Sequence, residues 1–209
     1  MYFDKPGKDN TEQTLKLAAQ RADALGISEV AVASTTGFTA YKAIEIFDGL
    51  RIAVVTYHSG FKEPFKNEMP DDVKADLQNK GITVVAASHA LSGVERSIAK
   101  KHSGVYPVLI VADTLRLFGQ GIKVAVEVAV MAADAGALTG SDIIAIGGSG
   151  RGAGHARRPG PARPLAGRLP PRRGQRGGPY QGFDVRQFGH RCCPGWLPAA
   201  GHLAEDLVQ

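Results

Sequence analysis

A chain of 209 residues is long enough for one domain with a sizeable core, and no window approaches the roughly 18 to 20 apolar residues of a membrane span. The net charge of +5 suggests a nucleic-acid partner only until the chain is divided: residues 1–150 hold 15 Lys and Arg against 17 Asp and Glu, and residues 151–209 hold 10 against 3. The basicity lies wholly in the last segment, as do the adjacent Cys192 and Cys193, which say little about a disulfide framework; with no basic stretch leading into an apolar run at the N-terminus, the expectation is a cytoplasmic protein.

Along the chain, Asn10-Thr11-Glu12-Gln13 offers a helix N-cap with acidic and amide residues in the first turn. Leu15, Leu17, Ala18, Ala22 and Leu25 follow at helical spacing, and Gly26 stops a helix of about four turns. Ile27 to Ala33 reads as a short strand that runs into Ser34-Thr35-Thr36-Gly37 before helical spacing resumes at Ala40, Ile44 and Phe47. A second strand is expected over 52–57. It is followed by a loop with Gly60, Pro64 and Pro70, a helix over 71–80, and a third strand over 82–87. The pattern next predicts a helix from Ser92 to about Lys101, a break at Gly104 to Pro107, and a helix over 108–117. Residues 121–135 are apolar on nearly every side, which predicts a helix buried against the sheet or a partner subunit; a homo-oligomer is compatible with it. A fourth strand over 142–146 feeds the glycine-rich Gly147 to Gly152. Four short apolar strands separated by helices predict an α/β fold: a three-layer, doubly wound, mainly parallel sheet.

After Ala153 these patterns break. Pro and Gly crowd together, and residues 151–209 carry ten arginines and no lysine, where the first 150 residues have eleven lysines and four arginines. Arg, Pro, Gly and Ala are the residues of GC-rich codons, so an out-of-frame translation is the simplest account of 154–209. A natural disordered Arg-rich arm is the alternative.

Ser34-Thr35-Thr36-Gly37 leaves a strand and begins a helix, so its hydroxyls and the free N–H groups of the helix start converge where an anion is favoured, most naturally a phosphate; Thr39 lies within the same turn. A plain capped helix is the bland alternative. The turn at 147–152, with Gly148, Ser149, Gly150 and Arg151, also leaves a strand, and the planar fork of Arg151 suits a phosphate. If the first and fourth strands are neighbours, both turns face one crevice at a topological switch point. Neither turn is a Walker loop or a dinucleotide fingerprint. His58 and His89 each begin a loop after a strand, which puts them on that rim as candidate acids, bases or ligand contacts, or as polar loop residues bonded to backbone. Arg116 and Gln120 flank a glycine turn and are either ligand contacts or a helix–helix corner. Lys62, Glu63 and Glu95 read as solvated charges, and without a nearby Cys or a His-x-x-x-His spacing no metal site is expected.

Six stretches together resemble a known family: Tyr2 to Gly7, Val32 to Gly37, His58 to Pro64, His89 to Arg96, Thr114 to Gly121 and Gly147 to Gly152. They are similar to stand-alone archaeal and bacterial proteins related to the C-terminal α/β domain of pyruvate kinase. The resemblance covers residues 1–153 and divides the chain there, into an α/β domain and the tail 154–209. It implies that the turn at Ser34 to Thr39 holds a phosphate, as the similar turn of pyruvate kinase holds one of its sugar bisphosphate activator. The stand-alone relatives suggest flavin mononucleotide (FMN) as a ligand. No catalytic barrel is present, so the resemblance implies no pyruvate kinase activity for this chain. Relatives continue Asp-Thr after the stretch like Gly150 to Ala153, where this chain has Gly154-His155. Removing one G from GGA-CAC, codons for Gly-His, restores GAC-AC, the start of Asp-Thr, as a single inserted base requires.

Three functions from different classes follow. The favoured one is a binding or regulatory module for a phosphorylated small molecule, with FMN or a sugar phosphate as candidates. The second is an enzyme, flavin-dependent or not, that uses His58 and His89. The third, nucleic-acid binding through the tail, has suitable charge but few interleaved aromatics: Tyr180, Phe183, Phe188 and Trp196.

Overall fold

The structure, a computed structural model, describes Phe3, residues 7–148, Gly152 and Ala153. The expectations placed on Ser149, Gly150, Arg151 and the segment 154–209 lie outside the described residues.

Among the described residues ten elements follow one another as the apolar runs and helical spacing predict: α1 (Asn10–Leu25), β1 (Glu29–Ala33), α2 (Phe38–Ile46), β2 (Arg51–Thr56), α3 (Asp71–Asn79), β3 (Thr83–Ala86), α4 (Gly93–His102), α5 (Pro107–Arg116), α6 (Gln120–Asp134) and β4 (Ile143–Ile146). The strands form one parallel sheet in the order β3-β2-β1-β4. In it Val30 pairs with Ile52 on one side and with Ile144 on the other. The chain therefore steps outward from β1 through β2 to β3, then returns across the sheet to place β4 against β1. That reversal opens a crevice beyond the carboxyl ends of β1 and β4.

The period of two along each strand sorts the core into two faces. Val30, Val32, Ile52 and Val54 point to one side, where they meet Leu15 of α1, Ala40 and Ala43 of α2, and Leu77 of α3. Ala31, Ala53, Val55 and Val85 point to the other, against Val128, Met131 and Ala132 of α6. Alanines dominate the second face of β1 and β2, so α6 approaches the sheet closely. At Gly147, just past β4, a Cβ would lie 2.1 Å from the Gly121 carbonyl oxygen, and only glycine allows this approach to the start of α6. With helices on both faces of a parallel sheet, the three-layer α/β expectation holds.

Two local expectations are corrected. The cap of α1 is Asp9, not Asn10, and it makes no side-chain capping bond. Thr11 is instead buried in the first turn, and its Oγ1 accepts a bond from the Ala153 N–H at 3.2 Å, tying the glycine turn after β4 to the start of α1. The apolar α6 does pack on the sheet, but it also carries two buried charges, Lys123 and Glu127. Among the described residues no helix is long and apolar enough to cross a membrane.

Candidate functional site

The turn after β1 is built by its own hydroxyls. Ser34 is buried; its N–H donates to the Val55 carbonyl at 3.0 Å, continuing the strand ladder, and its Oγ accepts from the Ala40 N–H at 3.2 Å. Ser34 is thus itself a cap for α2. The turn closes through Gly37, whose φ of +95° is left-handed and whose absent Cβ would lie 2.5 Å from Val73 Cγ1. Thr56 Oγ1, at the end of β2, donates to the Thr35 carbonyl at 3.2 Å and holds the turn from the neighbouring strand. Thr35 is half-buried, Thr36 exposed and Thr39 buried at the positive end of α2. The bond that caps α2 therefore falls on Ser34, while Thr35 and Thr36 are other members of the same turn.

The opposite wall comes from the corner between α5 and α6. Arg116 Nε donates to Gln120 Oε1 at 3.0 Å, and its Nη1 pairs with Asp113 at 2.6 Å. This pair is a helix–helix corner and a wall of the crevice at once. One turn further along α6, Lys123 Nζ lies 2.5 Å from Glu127 Oε2, with both side chains 4% exposed. Glu127 Oε1 accepts from the Leu91 N–H at 3.0 Å and from Ser92 Oγ at 3.5 Å, anchoring the loop after β3 to α6. Burial holds the Lys123 ammonium below the ordinary lysine range; Arg116 and Arg96 push the same way, and Glu127 opposes them.

His89 stands on that anchored loop. Its Nδ1 is 3.2 Å from Nδ1 of His58, which begins the loop after β2. Around this pair, Tyr57 and Phe61 stack with ring centres 4.1 Å apart, and Tyr57 meets His89 edge-on at 5.2 Å. Burial lowers the affinity of His89 for a proton; His58, Lys123 and Arg96 reinforce the effect, and the Glu127 carboxylate works against it.

These parts enclose a cavity of about 450 Å³ at the β1–β4 switch point. Of the residues singled out from sequence, Ser34, Thr35, Thr36, Thr39, His89, Arg116, Gln120 and Gly148 line it. Gly37 shapes the turn without forming the wall, and His58 reaches the site through the ring of His89. Sequence reasoning missed Lys8, Arg96, Lys123 and Glu127; Lys62, read as a solvated charge, is exposed and pairs with Glu68 while also lining the cavity. A Lys and a Glu four apart in an otherwise apolar helix was the available signal for the buried pair. The wall carries Lys8, Lys62, Arg96, Arg116 and Lys123 against Glu68 and Glu127, an excess of positive charge suited to an anion. The family model for pyruvate kinase, alpha/beta domain, matches residues 12–156 of the chain.

Proposed function

The chain belongs to the pyruvate kinase alpha/beta domain family, and from that premise we propose that the switch-point cavity binds a phosphorylated small molecule, as a binding or regulatory module. The observation that carries the reading is the meeting, in one cavity, of the hydroxyl-lined start of α2 with five cationic side chains from other parts of the chain. A phosphate at Ser34 to Thr39 takes hydroxyl and backbone donors together with the α2 dipole, and Arg116 supplies a planar fork from across the cavity.

FMN and a sugar phosphate are the candidate ligands. The residues fit FMN at both ends. The Ser34 turn suits its phosphate, and the rings of Tyr57, Phe61 and His89 supply an aromatic wall for its flat heterocycle. When bound, FMN would supply redox chemistry; the chain's own residues would hold and orient it. The test is a titration of the full chain with FMN and with sugar bisphosphates. The Thr35→Ala, Thr36→Ala double variant is expected to weaken binding by roughly 1 to 3 kcal/mol, and unchanged affinity would overturn the assignment.

One observation favours a second reading, an enzyme. His89 lines the cavity and shares a hydrogen bond with His58, so the pair has a side chain able to exchange a proton with a bound ligand. Turnover of a phosphorylated compound that is lost in His89→Asn, with binding retained, would select this reading.

A further inference from the structure

Buried Lys–Glu pairs are poor stabilising devices, because removing two charges from water costs more than their attraction returns unless other bonds compensate. The Lys123–Glu127 pair lies in the wall of the cavity, with Arg116 and Arg96 acting on Lys123. Glu127 is held by three partners: Lys123 on Oε2, and Leu91 N–H and Ser92 Oγ on Oε1. Lys123 has a carboxylate in contact to take its proton, and its side chain, though buried, lines the cavity.

We propose that Lys123 is a nucleophilic amine that forms an imine with the carbonyl carbon of an aldehyde or ketone phosphate bound in this cavity. The inference rests on the phosphate-binding reading above and narrows it to the sugar-phosphate class. The ammonium first passes a proton to Glu127 Oε2, 2.5 Å away, leaving a neutral amine. The nitrogen lone pair then forms a bond to the carbonyl carbon while the C–O π bond breaks toward oxygen, and the nitrogen proton moves to that oxygen, giving a neutral carbinolamine. Protonated Glu127 returns its proton to the hydroxyl group. Water leaves, and the nitrogen lone pair completes the iminium. One water is released, Glu127 ends as a carboxylate, and no oxidant or reductant is consumed. The lowered proton affinity of Lys123 places more of the amine in its reactive form than an exposed lysine has.

The test is reductive trapping on the full chain. Glyceraldehyde 3-phosphate and unphosphorylated glyceraldehyde are incubated separately with the protein, reduced with borohydride, and the adducts mapped by peptide mass spectrometry. The expected result is an adduct on Lys123, favoured roughly tenfold or more by the phosphate group and suppressed by inorganic phosphate. Glu127→Gln is expected to slow trapping by about a hundredfold while inorganic phosphate still binds, and Lys123→Arg to abolish it. Adducts spread over exposed lysines such as Lys16 and Lys42, with Lys123 unmodified and inorganic phosphate binding intact, would overturn the imine alone. Absence of phosphate binding by calorimetry would instead remove the cavity assignment on which the imine rests. Mapping on the unaltered chain decides the matter even if a variant fails to fold.

Discussion

His58 Nδ1 lies 3.2 Å from His89 Nδ1, so one ring must offer a proton and the other a lone pair. The contact joins the loops that leave β2 and β3, and a proton on both Nδ1 atoms would set two N–H groups face to face. His89 holds its proton less tightly than a free imidazole, first because it is buried and then because His58, Lys123 and Arg96 stand near it, against the pull of Glu127.

Stability should therefore fall on the acid side. With a folded-state pKa below the unfolded value of about 6.5, His89 makes its full contribution above that pH and loses it as pH falls through the folded value, because the unfolded chain takes up the proton first. Thermal melts between about pH 7 and pH 5 are expected to drop more steeply for the native chain than for His89→Asn. Parallel profiles would show that the histidine contact has no such linkage.

The buried pair on α6 gives a prediction with two arms. Glu127→Leu leaves Lys123 charged and unpaired and should destabilise by roughly 3 to 5 kcal/mol, measured by urea unfolding. The Lys123→Met, Glu127→Leu double variant should recover most of that loss. The remainder reflects the Leu91 N–H, which loses its acceptor at about 1 to 3 kcal/mol. A double variant as unstable as the single one would mean that the pair is a net stabiliser.

Gly37→Ala combines a left-handed φ of +95° with a Cβ driven against Val73. The expected loss is on the order of 1 to 3 kcal/mol in stability, with phosphate affinity reduced because the turn opens. An unchanged melting temperature would mean that the turn can relax without cost.

A control lies at the far end of the same strand. Glu29 is buried at the amino end of β1, where its Oε2 accepts from Thr139 N–H and Oγ1, each at 3.0 Å. Glu29→Ala should cost roughly 1 to 3 kcal/mol of stability and leave phosphate affinity untouched, since Ser34 stands about 17 Å further along the extended chain. Parallel loss of binding would show that the turn is not an independent unit.

The fold was legible because its signals are local. Short apolar runs, glycine stops and helical spacing located the ten elements of the described residues to within a residue or two; Gly26, for instance, ends α1 in the left-handed conformation its position predicts. The Ser34 turn was legible for the same reason, as strand, glycine and helix follow one another directly. Lys123 and Glu127 were hidden because an apolar helix is read by its majority, and their neighbours Leu91 and Ser92 lie more than thirty residues away. Lys8 and Arg96 escaped likewise, since only the crossing back to β4 brings the turn before α1 to one cavity with α4 and α6.

That crossing also orders the events of synthesis. β1 meets β2 almost at once, but its other partner, β4, is translated after four more helices and a strand, and Thr11 waits for Ala153 across 142 residues. At about 5 to 20 residues per second the nascent chain spends several seconds with the inner edge of β1 unpaired. Pairings this distant in sequence also slow closure of the domain. The cavity can form only at the end of this interval, because its walls meet when β4 docks. Ligand binding is thus a readout of the last folding step, and a nascent chain stalled before Ile143 should carry a formed Ser34 turn and no site.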